Sequence, residues 1–152
     1  MIGKLNNEEI DQLLDATLVG HLGCHFDGRT YIVPISFARQ EDCLFGYTTV
    51  GKKVQMMRGN PDVCVQVENI TNLDDWQSAI VWGRFEELSG TEEIDAMVCL
   101  VERYSEAFEA LPSGSVRGRD VAPPRLDGQP VGNVLYRIRI SEKTGRFERP
   151  DI

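Results

Sequence analysis

The segment Tyr47-Thr48-Thr49-Val50-Gly51-Lys52-Lys53 gathers more chemistry-bearing side chains than any other stretch of this chain. Hydroxyl residues end an apolar run, a glycine frees the backbone, and two lysines open a helical stretch. Backbone N–H groups at a helix start favour an anion by about 0.3–1 kcal/mol when exposed. Lysine adds charge-assisted hydrogen bonds of about 1.5–3 kcal/mol each, the larger contribution to holding a phosphate. The same residues also fit a plain turn with two solvated lysines, and the pattern is not the glycine-rich P-loop. A second candidate is Val33-Pro34-Ile35-Ser36. A strand proline exposes backbone groups that can meet the donor and acceptor edge of a heterocycle, or it simply protects a sheet edge. The third, Trp76-Gln77-Ser78, reads either as an aromatic wall with two polar contacts or as a core tryptophan with a polar edge. Trp82 reads as core.

Other chemistries find little support. His21 and His25 are the only histidines, and no serine or cysteine motif accompanies them as a nucleophile–base pair would. Cys24, Cys43, Cys64 and Cys99 lie far apart without a Cys-x-x-Cys, which leaves a zinc site little to work with. Three of them fall in apolar runs and read as reduced core residues. The acidic residues lie mostly on helix faces and loops, so paired-carboxylate catalysis is unsupported. Any reaction here is expected to be performed by a cofactor.

The elements that position these residues follow from turn chemistry and periodicity. Asn6 or Asn7 caps a short helix with Ile10, Leu13 and Leu14 on one face, and Glu9 is placed as a capping-box partner. A strand over Thr17–Cys24 leads to Asp27-Gly28, a pair that supplies the positive φ angles of a tight hairpin. Tyr31–Phe37 returns, with Pro34 marking an edge, a bulge or an exposed stretch. Cys43–Thr48 forms the third strand and Lys52–Arg58 a short helix closed by Gly59-Asn60-Pro61. Strands over Val63–Val67 and Ser78–Phe85 flank an acidic loop at Thr71–Asp75. Thr91–Ala110 is the clearest helix, with Ile94, Met97, Val98, Val101, Tyr104 and Phe108 sharing one face. The stretch 111–132, with four prolines and four glycines, reads as a functional loop, a lid or a disordered segment, with Arg117 and Arg119 as possible anion contacts. A last strand over Asn133–Ile140 turns at Thr144-Gly145. Short-turn strands with one late helix predict a mainly β fold: a closed antiparallel barrel flanked by helices.

At 152 residues the chain is expected to form one domain over 1–152, with an N-terminal helix within 1–16. Apolar residues make up 41% and charged residues 26%, which places it among soluble globular proteins. Acids outnumber bases 24 to 16, for a net charge of −8, and this argues against nucleic acid as a partner. With no signal peptide and no long apolar span, a soluble cytoplasmic protein that does not engage a membrane is expected.

Taken together, three groups of residues resemble the pyridoxamine 5′-phosphate oxidase-like proteins. They are Gly28–Phe37, the run from Tyr47 through Lys53 to Met57–Cys64, and Trp76–Leu88. The branch it is most similar to is the nitroimidazole-resistance-like flavoproteins. The resemblance implies an FMN-binding split β-barrel, antiparallel and Greek-key-like, and a homodimer with FMN at the subunit interface. It implies that Val33, Pro34, Ile35 and Ser36 line the isoalloxazine ring and that Tyr47, Thr48 and Thr49 meet the ribityl chain or ring edge. Lys52 and Lys53 would hold the phosphate, and Gln77 and Ser78 would contact the flavin bound mainly by the other subunit. The oxidases carry an arginine and a lysine where this chain has Tyr31 and Ser36, so pyridoxamine phosphate oxidation is not carried over. The implied activity is a flavin-dependent oxidoreductase acting on an unidentified small molecule. The alternative is a binding, storage or sensing protein for flavin, or for another cofactor such as a deazaflavin or haem.

Overall fold

The computed structural model describes residues 1–109 and 132–151. In chain order these form β1 (Ile2–Lys4), α1 (Asn7–Ala16), β2 (Val19–Phe26), β3 (Arg29–Ser36), β4 (Ala38–Gln40), β5 (Cys43–Thr49), α2 (Lys52–Gly59), β6 (Asp62–Asn72), β7 (Asp75–Glu87), α3 (Thr91–Glu109) and β8 (Asn133–Glu148). The fold is mainly β with flanking helices, as expected. All the strand pairs are antiparallel, in the order β3-β2-β6-β7-β8-β5-β4, with β1 added to β8. Hydrogen bonding does not close the ring, contrary to the closed barrel expected from the strand count. β3 and β4 are the two ends of the order, and the chain itself joins them through Phe37, which is 1% exposed. The barrel is therefore split along one seam and plugged there by an aromatic ring.

Local signals placed several elements well. Asn6 caps α1: its Oδ1 accepts the Glu9 N–H at 2.8 Å, and its Nδ2 donates to Glu9 Oε1 at 3.3 Å. Thr17 closes that helix by donating its hydroxyl to the Leu13 carbonyl at 2.7 Å, so β2 starts at Val19 rather than Thr17. Asp27 and Gly28 both have positive φ, +54° and +72°, the backbone of a two-residue hairpin turn. The main core lies inside the curled sheet and under α1, built from residues such as Ile10, Leu14, Leu22, Leu44, Val65, Val81, Tyr136 and Ile138.

Tertiary packing overrode other expectations. The last strand does not turn at Thr144-Gly145 but runs on to Glu148, pairing with β1 and β7. Gly145 serves close approach instead, since a Cβ there would lie 2.9 Å from Leu5 Cδ1 and 3.1 Å from Ile10 Cγ1. Its missing side chain lets α1 settle on β8, where Lys143 Nζ meets Asp11 Oδ1 at 2.8 Å. The stretch read as an acidic loop at Thr71–Asp75 is mostly strand, with β6 and β7 turning only at Leu73-Asp74. β1 and β4 are additional short strands. The helix α3 is rotated from its expected setting: Ala96 and Leu100 are buried against Ala38, Leu88 and Leu135, while Ile94, Val98 and Val101 are more than half exposed. Alanine at the contact lets the helix lie close to the sheet, which selects that flank over the bulkier stripe. Trp82 is 37% exposed on the outer face of β7 rather than core. All four cysteines are free; Cys24 is buried and the other three are partly exposed. The Phe108 side chain, Arg117, Arg119 and the stretch 111–131 lie outside the described residues.

Candidate functional site

Side-chain alternation sorts β3 into two faces. Tyr31, Val33 and Ile35 point inward, while Ile32, Pro34 and Ser36 are exposed outside. The turn fixes hydrogen bonding as well. A two-residue hairpin closes on Phe26 and Arg29 as a bonded pair, and every second pair after it, through Leu22 with Val33, is bonded likewise. Pro34 faces His21 at a non-bonded position, so its missing N–H removes no ladder bond. With β3 at the end of the sheet, the backbone groups of Ile32, Pro34 and Ser36 point to a free edge.

Inside that edge lies a groove of about 160 Å³, lined by Tyr31, Val33, Thr48, Thr49, Gly51, Lys52 and Lys53. Three elements build it: β3 supplies one wall, the end of β5 another, and the start of α2 the floor. Gly51 precedes α2 without any side-chain cap, and the first turn carries no acidic residue. The first-turn N–H groups are therefore left for an outside acceptor. Lys52 Nζ stands 5.0 Å from the Tyr31 ring centroid. Lys53 is half-buried, and burial pulls its ammonium below the usual lysine range. Among the described residues, neither lysine is paired with a carboxylate. In a chain with excess acid, two adjacent unpaired lysines on a concave surface form a local anion trap.

Five residues singled out from the sequence thus meet in one groove: Val33, Thr48, Thr49, Lys52 and Lys53. Ile35 is core, 5% exposed. Pro34 and Ser36 belong to the outer face. Tyr47 points away from the groove, among the residues packed beneath α3. Its hydroxyl is buried there without a hydrogen-bond partner among the described residues, and burial pushes the phenol up. Gln77 and Ser78 sit on β7, separated from β3 in the sheet by β2 and β6, on opposite faces of their strand. Ser78 Oγ accepts from Gln66 Nε2 at 3.1 Å. Trp76, on the same strand, donates its Nε1–H to Glu148 Oε2 at 3.1 Å. Tyr31 was missed as a lining residue. The signal for it was strand alternation, since Tyr31 lies two residues before Val33.

The family follows from comparison of the whole chain. A model of the family described as pyridoxamine 5′-phosphate oxidase matches residues 6–147. The chain belongs to the pyridoxamine 5′-phosphate oxidase-like family. Its split barrel is shared by solved structures. An FAD-binding protein of Mesorhizobium loti superposes with a TM-score of 0.74 at 27% identity, covering 99% of this chain and 98% of that one. A proposed 5-nitroimidazole antibiotic resistance protein of Bacteroides thetaiotaomicron gives 0.70 at 16% identity, covering 97% and 87%. An FAD-binding protein of Mycobacterium smegmatis gives 0.67 at 19%, covering 98% and 100%. In sequence, an uncharacterised protein of Rhizobium meliloti is 29% identical over 147 residues, 93% of this chain and 92% of its own length.

Proposed function

We propose that this chain is a flavoprotein that holds FMN, with the phosphate in the groove at the start of α2 and the ring along the free edge of β3. The observation that carries the reading is the pair of uncompensated lysines beside an uncapped helix start. A flavin phosphate satisfies all of these at once: first-turn N–H groups, the Thr48 and Thr49 hydroxyls and both ammonium groups donate to its oxygens. The free carbonyls of β3 fit a heterocycle with donor and acceptor edges, and Val33 offers it an apolar side. Flavin binding by the Mesorhizobium and Mycobacterium relatives supports the same reading.

The groove is smaller than the roughly 300–1,000 Å³ of ordinary ligand pockets, so one chain holds only part of the cofactor. A second copy would complete it. The outer face of β3, β2, β6 and β7 offers a surface for that copy. Val19, Ile32 and Trp82 are exposed there. In such a homodimer Ser78, or Gln77 at the strand end, reaches the flavin held mainly by the other subunit. Bound flavin supplies hydride or single-electron transfer, and the chain supplies grip, orientation and exclusion of water. The activity is then that of a flavin-dependent oxidoreductase on a small molecule. Four unpaired thiols suit a reducing, cytoplasmic compartment, and no described helix is long and apolar enough to cross a membrane.

The test is a visible absorption spectrum after incubation with FMN and desalting. A retained flavin band at about one per chain supports the reading, and a colourless protein overturns it. Bleaching of that band by NADH or NADPH supports turnover, whereas a bound flavin that neither reduces favours a storage or sensing role.

A further inference from the structure

Lys52 and Lys53 line the same groove but are held by different means. The Lys53 side chain is half-buried at the start of α2, and packing restricts it. Lys52 is exposed, and a lysine left to solvent samples many rotamers that binding must then quench. The face of the Tyr31 ring, 5.0 Å from Lys52 Nζ, removes that freedom. This separation is within the roughly 6 Å at which an ammonium feels an aromatic quadrupole. Tyr31 is itself fixed, because it lies on β3 and packs against the main core. A carboxylate in its place would hold the ammonium equally well, but would cancel its charge and repel an incoming anion. A neutral ring holds Lys52 without cancelling its charge.

We propose that Tyr31 is a positioning residue that presents Lys52 to the phosphate of the bound flavin and thereby sets the preference for phosphorylated flavin over riboflavin. The inference rests on the flavin reading of the groove. The ring lies against the ammonium, and Thr48 and Thr49 line the same groove, where phosphate oxygens would sit. Tyr31 therefore acts through Lys52, and its contribution should vanish once the lysine charge is gone.

The experiment is a fluorescence titration with FMN and with riboflavin, which lacks the phosphate. It is run on the full chain and on Tyr31→Phe, Tyr31→Leu, Lys52→Gln and the Tyr31→Leu/Lys52→Gln double variant. Tyr31→Phe is expected to bind FMN within about twofold of the parent, since the ring face is retained. Tyr31→Leu is expected to weaken FMN roughly three- to tenfold and leave riboflavin unchanged. In the Lys52→Gln background the leucine substitution should add nothing. Equal weakening of FMN and riboflavin by Tyr31→Leu would make the ring a mere wall and overturn the proposal, as would additive losses in the double variant. Tyr31→Met gives the same comparison if the leucine variant does not fold. A parent chain that binds neither flavin overturns the flavin reading itself, an outcome distinct from a parent whose preference for FMN ignores Tyr31.

Discussion

Replacing Gly46 by alanine puts a methyl carbon where the Tyr136 ring already lies. Gly46 faces Tyr136 across the β5–β8 ladder, and the added Cβ would stand 2.2 Å from Cζ and 2.3 Å from the hydroxyl oxygen. Ordinary contact begins near 3.4 Å, so the ring or the strand has to give by more than an ångström. The ring has little room, being 2% exposed with Phe85 on it at a centroid distance of 5.5 Å. Overpacking of this kind costs about 1–3 kcal/mol. For a domain of this size each kcal/mol moves the melting temperature by about 2–4 °C, which gives a drop of roughly 2–12 °C. Strand β5 ends at Thr48 and Thr49, so the same displacement is expected to weaken flavin retention. Thermal unfolding followed by circular dichroism measures the first effect and FMN titration the second. Adding Tyr136→Leu should return part of the loss, because the clash disappears with the ring. A Gly46→Ala protein that melts with the parent would refute the packing argument.

Lys53→Glu is expected to abolish retention of FMN through desalting while the far-ultraviolet circular dichroism spectrum stays that of the parent. Retained stoichiometric FMN would remove the phosphate assignment. Burial lowers the Lys53 pKa in the fold, so between that lowered value and 10.5 the unfolded chain binds more protons and stability rises with pH. Lys53→Met should lose this rise, which urea midpoints measured across the alkaline range will reveal. Glu86 shows the opposite case: its hydrogen bond to Arg139 and the one to Arg137 hold its carboxyl below the usual 4.5. The stability it contributes is complete above 4.5 and lost as the pH falls through the lowered value, so Glu86→Gln should flatten the acid limb of the midpoint curve. For the proposed homodimer, Trp82→Glu on the exposed outer face should turn a two-chain mass by light scattering into a one-chain mass; a two-chain mass kept by the variant would locate the interface elsewhere, and a one-chain mass in the parent would refute the dimer.

What could be read in the sequence was whatever depends on near neighbours. Asp27-Gly28 needs positive φ, Asn6 and Glu9 satisfy each other's donors across one turn, and the hydroxyl–glycine–lysine run carries its own chemistry. Each of these is settled within a few residues. The remainder depends on what lies across the sheet. The helix α3 has apolar residues on more than one flank, so its periodicity could not say which flank meets the sheet; Ala38, Leu88 and Leu135 decide that. Gly145 looked like a turn because glycine permits one, yet its use is to admit Leu5 and Ile10. For the candidate site, strand, loop and lysines were legible, but alternation within β5 sends Tyr47 under α3 and leaves the next residue in the groove. The ring beside Lys52 comes from a strand some twenty positions earlier, a proximity no local pattern encodes.

The sixteen residues of β8 bind β5 and β1 along one edge and β7 along the other, so the middle of the sheet is the last described strand to be made. During synthesis β5 emerges more than eighty residues before the strand that will cover it. Its free side, with Leu44 at the barrel interior, must wait through the making of α2, β6, β7 and α3. Such distant pairings raise contact order and slow folding. The nascent chain would hold the β2–β3 and β6–β7 hairpins with an unclosed gap between β7 and β5, a state open to chaperones and to strand exchange with a neighbouring chain.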